Sequence, residues 1–380
     1  MAKIIAAVMP GAGLPIEVCE FSEPDLEVNS ALLDISLSEV CGTDIHLHAG
    51  HLAGVPYPII PGHVSVGFLR KIHGTLTDVN EKQLREGDFI TFLDVHKTCG
   101  YCWYCSVAKA STRCPKRKVY GVTYGIGDGL AGGWAQSLYL KPHTRCLSLD
   151  GVDAERFMAG GCSLPTALHA VDRAGISLGN SVLILGSGPV GLSIIICSLL
   201  QGAHRVLCIG NPEGRLKTAR TVGAHATLDY LRHTEQEQIE WTRQLTGGRG
   251  ADVTLEATGD PKAVVRAMRC TRDGGRVVVV GQYTDVGEVS FNPHLDLNMK
   301  HLDVRGCWGS DFSHFYRAVQ LASDPRLSMR WSAIPVRRFG LHQAASALAS
   351  VAKGATHKAL IDPSLQQQHC DINPDCDIEN

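Results

Sequence analysis

Four cysteines crowd one stretch of the chain, Cys99-x2-Cys102-x2-Cys105-x8-Cys114. Four thiolates at short spacing can surround one tetrahedral Zn2+ and close it off from water, which describes a structural rather than a catalytic site. The segment Lys97–Arg117 around them has little apolar sequence of its own, so metal binding there is expected to supply folding energy. A second set of donors is dispersed: Cys41-Gly42-Thr43-Asp44-Ile45-His46, then Gly62-His63, then Cys162. It offers two thiols and an imidazole from distant segments. Spacing alone does not say whether they meet, and His63 or Cys162 taken singly reads as an ordinary core or surface residue.

A third signal is Gly186-Ser187-Gly188-Pro189-Val190-Gly191, which fits G-x-G-x-x-G. The pattern gains meaning from its setting, after the apolar run Ser181–Leu185 and before an apolar helical segment. There Gly186, Gly188 and Gly191 make a tight turn that lets backbone approach a pyrophosphate, while the helix that starts at Pro189 supplies N–H donors from Val190 onward. At the end of the next strand, where a carboxylate would bind the ribose 2′-OH of NAD, the chain has Gly210-Asn211, with Arg215 following. A missing carboxylate leaves room for a 2′-phosphate and Arg215 offers it a positive charge, so NADP(H) is preferred over NAD(H). Glu213 pulls the other way, unless it serves only the start of the next helix.

These residues need elements to hold them. A chain of 380 residues is expected to form about two domains. Before Pro165 the sequence reads as short β runs between glycines and prolines: Ala31–Leu37, Gly87–Leu93 and Trp134–Leu140. Beyond it, strands and helices alternate: Ser181–Leu185, helix 191–201, Val206–Ile209, helix 215–222, Ala226–Asp229, strand 252–257, helix 261–271, strand 276–281. That order argues for βαβ units and a doubly wound parallel sheet. Helices are expected again at 312–322 and 341–351, with a strand at 359–362. The polar end, 366–380, reads as a flexible tail, and Cys370 and Cys376 beside His369 read as solvated rather than as a metal site.

Composition excludes several function classes. Hydrophobic residues make up 44% and charged residues 19%, too apolar for an extended disordered protein. A net charge of −2 gives no basic field for nucleic acid or anionic membrane, so neither is expected as a partner. The long apolar stretch Val182–Leu200 is broken by its glycines and proline and reads as strand–turn–helix, not a membrane span. No signal-peptide layout opens the chain, so a cytoplasmic location is expected and the 14 cysteines are read as ligands or core thiols.

Taken in order, Cys41-Gly-Thr-Asp-x-His46, Pro61-Gly62-His63, the four-cysteine lobe, Cys162 with Thr166, the Gly186–Gly191 turn and Lys358 resemble zinc-dependent alcohol dehydrogenases of the medium-chain dehydrogenase/reductase family, over about 31–363. The resemblance implies a GroES-like β-rich catalytic domain from both chain ends (1–163 and 308–365, with the zinc lobe at 97–117) and a Rossmann domain at 164–307. It implies two Zn2+ per chain: a catalytic one on Cys41, His63 and Cys162 and a structural one on Cys99, Cys102, Cys105 and Cys114. Thr43 and His46 would relay a proton, Asp44 would orient His63, and Thr166 would line the coenzyme site with Gly186, Gly188, Pro189, Val190, Gly191, Gly210, Asn211 and Arg215. A homodimer or homotetramer would form through the sheet edge after Gly281.

Two departures stand out. Most members have Glu after the zinc-binding His, near the metal; this chain has Val64. The last lobe spacing, Cys105-x8-Cys114, is one residue longer than usual, an insertion that a loop absorbs easily. The activity implied is hydride transfer between NAD(P)(H) and a secondary alcohol or ketone, with a small-molecule substrate. His48, His51 and His96, near the motifs, together with a weaker likeness to cyclitol- and sugar-type dehydrogenases, suggest a polyol or cyclitol. Val64 motivates an alternative, enone carbon–carbon reduction with altered zinc chemistry. A non-catalytic nucleotide-binding protein is the third reading.

Overall fold

The run Ser30–Val40 is buried nearly throughout and forms an eleven-residue strand, longer at both ends than the expected Ala31–Leu37. In this computed structural model, which describes residues 3–365, it is the centre of a seven-stranded sheet. Ser65–His73 pairs antiparallel with it on one side. On the other side it pairs with Lys358–Ile361, in the register Ala359↔Val40, Leu360↔Glu39, Ile361↔Ser38. Both ends of the chain therefore build one β domain. Ile4, Leu32, Val40, Ile60, Trp134, Leu348 and Ile361 share its core.

Among the described residues, the first compact unit runs up to Cys162 and takes in Val319–Pro325 and the stretch from Pro335 to residue 365. The second comprises Ser163–Ala318 and Arg326–Ile334. Its six strands are all parallel, in the spatial order Ala226–Asp229, Arg205–Gly210, Ser181–Leu185, Ala251–Glu256, Thr271–Val279, Asp303–Gly306. This is the 3-2-1-4-5-6 arrangement of a Rossmann sheet, in which dinucleotides bind outside the carboxyl ends of the strands at the switch point. Buried on both faces, its central strands carry continuous apolar runs such as Val182–Leu185 and Val206–Ile209. The stretch Val182–Leu200 is the first strand and the first helix, and among the described residues no helix is long and apolar enough to cross a membrane.

Two differences from the sequence reading have local causes. The second unit continues past the expected boundary at 307, because Phe315 and Ala318 are buried and the Trp331 indole N–H reaches Ser193 Oγ at 3.2 Å, tying Arg326–Ile334 to the helix Pro189–Leu200. A helix that went unrecognised, Glu235–Leu245, opens with a reciprocal cap: Thr234 and Glu237 bond each other's backbone N–H. The tail 366–380, with Cys370 and Cys376, lies outside the described residues.

Candidate active site and metal centres

The first donor arrives at the end of the central strand. Cys41 is the N-cap of the helix Gly42–His48, its Sγ accepting from the Thr43 N–H at 3.3 Å while Asp44 Oδ2 accepts from the Cys41 N–H at 2.8 Å. A C-G-T-D sequence thus folds as a capping box with sulfur in the place of the usual hydroxyl. His63 lies two residues before the start of the neighbouring strand Ser65–His73 and is buried. Cys162 follows the helix Ala154–Gly160. These three distant residues converge: their ligand atoms all lie within 4.8 Å of one another.

The chemistry of the trio fits a zinc ion. Two sulfurs and one imidazole nitrogen form a three-ligand set of the kind that leaves one coordination position open. Two buried atoms beside them, His63 Nδ1 and Asp44 Oδ1, have no hydrogen-bond partner among the described residues. Asp44 is wholly buried, and desolvation raises its pKa against the pull of His63. Without metal the two thiols share a hydrogen bond that raises Cys41, already pushed up by burial, and lowers Cys162. Burial opposes charge on His63, yet Cys162, Asp94 and Asp44 lift it to about 10. To hold a metal the thiols and the imidazole must give up these protons, so binding there releases protons.

Cys99, Cys102, Cys105 and Cys114 converge in the same way, all four sulfurs within 4.8 Å of one another. The turn Ser111–Arg113 lies between Cys105 and Cys114. Partial desolvation pushes Cys99 up, but the N–H groups of Tyr101 and Cys102 outweigh it and bring the thiol to about 6. Four donors with no open position fit a structural zinc.

Thr43 is half-buried one turn before His46, whose Nδ1 lies 3.3 Å from His51 Nδ1. Two histidines that the sequence associated with a hydroxylated substrate are engaged by backbone instead. His48 Nε2 meets Leu14 O at 3.1 Å, and His96 is held by Pro142 O at 2.9 Å and by the Tyr124 hydroxyl.

In the second unit, Gly188 is the N-cap of the helix Pro189–Leu200 and brings no side chain to its first N–H groups, the kind of helix start that suits an anion. Val190 lies in the first turn of that helix and Thr166 is half-buried on the helix Ser163–Ala174. Gly210 ends its strand as expected, and Asn211 Nδ2 donates to Asp229 Oδ1 at 3.0 Å. Arg215 sits on the helix Glu213–Val222.

Known proteins resemble the chain in both units. Residues 27–151 match the profile of the alcohol dehydrogenase GroES-like domain, and residues 189–324 that of the zinc-binding dehydrogenases. An alcohol dehydrogenase from Thermotoga maritima is 33% identical, with a TM-score of 0.90 over 95% of this chain and 100% of that one. The chain belongs to the zinc-dependent alcohol dehydrogenases of the medium-chain dehydrogenase/reductase family. It is also similar to 5-exo-hydroxycamphor dehydrogenase of Pseudomonas putida, 29% identical over 92% of this chain and 96% of that protein. A Sinorhizobium meliloti protein assigned as a zinc-binding dehydrogenase and solved with NADP bound is 25% identical, with a TM-score of 0.81 over 96% of this chain and all of that one. As a family member the chain is an oxidoreductase using zinc and a nicotinamide coenzyme.

The sequence reading passed over one buried pair. Lys358 figured there only as part of a resemblance and Glu39 not at all, yet both are buried and in contact. The available signal was a glutamate in Leu37-Ser38-Glu39-Val40, two residues before a ligand cysteine.

Proposed function

We propose that the protein transfers hydride between NADP(H) and a secondary alcohol or its ketone, with Cys41, His63 and Cys162 holding the catalytic zinc and the four lobe cysteines a second, structural one. The convergence of the three donors within 4.8 Å carries this reading. When bound, the zinc supplies Lewis acidity at the substrate oxygen and the nicotinamide supplies or accepts the hydride.

The rest is done by the chain. Asp44 orients the His63 ring through its charge, since an acidic group beside a ligand histidine favours the tautomer that presents its other nitrogen to the metal. The Thr43 hydroxyl takes the proton leaving the alcohol and hands it towards His46, and His51 continues that line outward. Burial and the neighbouring His51 lower the His46 pKa, so His46 is neutral and able to accept near pH 7. Gly186, Gly188 and Gly191 bring backbone to the pyrophosphate, and Arg215 and Asn211 meet the ribose end.

Polyols and cyclitols remain within the substrate class, as does the alicyclic alcohol named for the Pseudomonas relative. With His48 and His96 bound to backbone carbonyls, only His51 of the three histidines still supports a hydroxyl-rich substrate, beside the weaker likeness to cyclitol- and sugar-type dehydrogenases. We also propose a homo-oligomer formed along the edge strand Asp303–Gly306. The decisive experiment is a coenzyme-linked screen of secondary alcohols, ketones, polyols and enones with both nicotinamides, on protein of measured zinc content. Deuterium delivered from labelled coenzyme to a carbinol carbon supports the proposal. Label on a β carbon establishes enone reduction instead, and coenzyme binding without turnover on any class leaves only a nucleotide-binding protein.

A further inference from the structure

Glu39 is a buried charge with no part in the reaction as described. Its backbone is pinned on both sides: its N–H donates to Val64 O at 2.9 Å, and its carbonyl accepts from the Trp134 indole at 3.0 Å. A strand's period of two places Glu39 on the same face as position 41, and opposite Leu360 in the partner strand, so that Lys358 shares that face as well. The carboxylate is committed at both oxygens. Oε2 accepts from the Cys162 N–H at 2.7 Å, and Oε1 lies 3.2 Å from Cys162 Sγ and accepts from Lys358 Nζ. Lys358 Nζ also donates to Gly160 O at 3.3 Å. The chain leaves space for this contact at Gly161, where a Cβ would stand 2.1 Å from Glu39 Oε2 and 2.8 Å from Lys358 Nζ.

Both side chains are 1% exposed. An ion pair so deeply buried loses several kcal/mol of solvation per ion, and well-packed apolar residues often serve the fold as well or better. What distinguishes this pair is where its bonds to other residues go: to Gly160 O, to the Cys162 amide and to the sulfur of that metal donor. The cation also has a counterpart, because two thiolates and a carboxylate in one dry place need more positive charge than a single dication brings.

We propose that Glu39, held by Lys358, is the positioning residue of the three-donor metal site and sets how tightly that site retains zinc. It orients Cys162 through its amide and keeps a compensated negative charge against the sulfur. The backbone bond from Glu39 to Val64 places this carboxylate one strand away from the position after His63, where this chain has none. The inference rests on reading Cys41, His63 and Cys162 as a metal site.

The test uses zinc-loaded full-length protein as wild type, Glu39→Gln, and Glu39→Gln/Lys358→Met. The near-isosteric amide keeps a carbonyl for the Cys162 N–H but loses the charge, and the double variant removes the lysine that the first leaves unpaired. Competition with a chromogenic chelator reads zinc retention, and Co2+ substitution reads the thiolate-to-metal absorption band. Both variants are expected to bind zinc about 10–100-fold more weakly at one site, with an altered cobalt band, while the four-cysteine lobe holds its metal as an internal reference. Unchanged retention and an unchanged band overturn the proposal, even where the melting temperature falls. Wild-type retention in the double variant overturns it too, since Glu39 would then only balance Lys358. Wild-type protein that holds metal in the lobe alone overturns the reading of the three donors, and this inference with it.

Discussion

Gly191 lies against the carbonyl of Gly186: a Cβ on Gly191 would stand 2.0 Å from that oxygen. The contact holds the helix Pro189–Leu200 close to the strand that ends at Leu185, with its N–H groups at the turn. Gly191→Ala is therefore expected to push helix and turn apart, costing about 1–3 kcal/mol of stability and weakening coenzyme binding. Thermal unfolding and fluorescence titration with NADPH measure the two effects. Wild-type affinity in a folded variant would remove the turn from the coenzyme site.

Coenzyme choice is better tested at Arg215 than at Gly210. A Cβ on Gly210 would meet Ser187 at 2.4 Å from Oγ and 3.1 Å from its backbone nitrogen, so an Asp there perturbs packing before it repels a phosphate. Arg215→Ala is expected to raise the KM for NADPH about tenfold or more, the worth of a charge-assisted bond to phosphate, and to leave that for NADH within about twofold. Equal effects on both coenzymes would count against a 2′-phosphate contact.

The two metal sites are expected to respond differently to loss of a donor. Cys41→Ser should lower turnover by on the order of 10³-fold, as several kcal/mol of Lewis-acid stabilisation would be lost. Coenzyme affinity should hold, because the Rossmann unit contains none of the three donors. Cys105→Ser should instead loosen the lobe, whose Tyr101 and Trp103 are 70% and 63% exposed and give it little core. Hydrogen exchange should accelerate over 97–117 with the core of the sheet unchanged.

His46 ties alcohol oxidation to pH. Its pKa is lowered by burial and by His51, so kcat should stay level through neutral pH and fall only as acidity protonates His46 below the usual histidine range. His46→Gln should cut kcat about 10–100-fold near pH 7 and abolish that acidic limb. A limb retained in the variant would assign it to another group.

Acid stability has a separate source in the Rossmann unit. Asp252 accepts from the Ser181 N–H at 2.7 Å and from Arg272 Nε at 2.6 Å. Desolvation raises its pKa, but Arg272 and Ser181 outweigh that and hold the carboxyl below its ordinary value. A depressed folded pKa means stability that is present above the unfolded value, near 4, and is lost as pH falls through the folded one. Asp252→Asn should therefore cost about 1–2 kcal/mol at pH 7, allowing for partial exposure. In urea unfolding the gap to wild type should narrow below about pH 4.

Much of this was written locally. The alternation of apolar strands with helices, the Gly186–Gly191 turn and the four close cysteines are short-range patterns, and short-range sterics and periodicity fix them wherever the chain ends up. The helix Glu235–Leu245 was equally legible in its Thr234–Glu237 cap. The dispersed donors are of another kind. That Cys41, His63 and Cys162 share one place depends on the antiparallel pairing of Ser30–Val40 with Ser65–His73 and on the path of the helix Ala154–Gly160, contacts between segments far apart in sequence. The Glu39–Lys358 pair, 319 residues apart, lies further still from local logic. A glutamate in a buried strand carries no label for its partner. Only the register that sets Leu360 opposite Glu39 brings the late lysine to it, because a strand's side chains face what its neighbour presents.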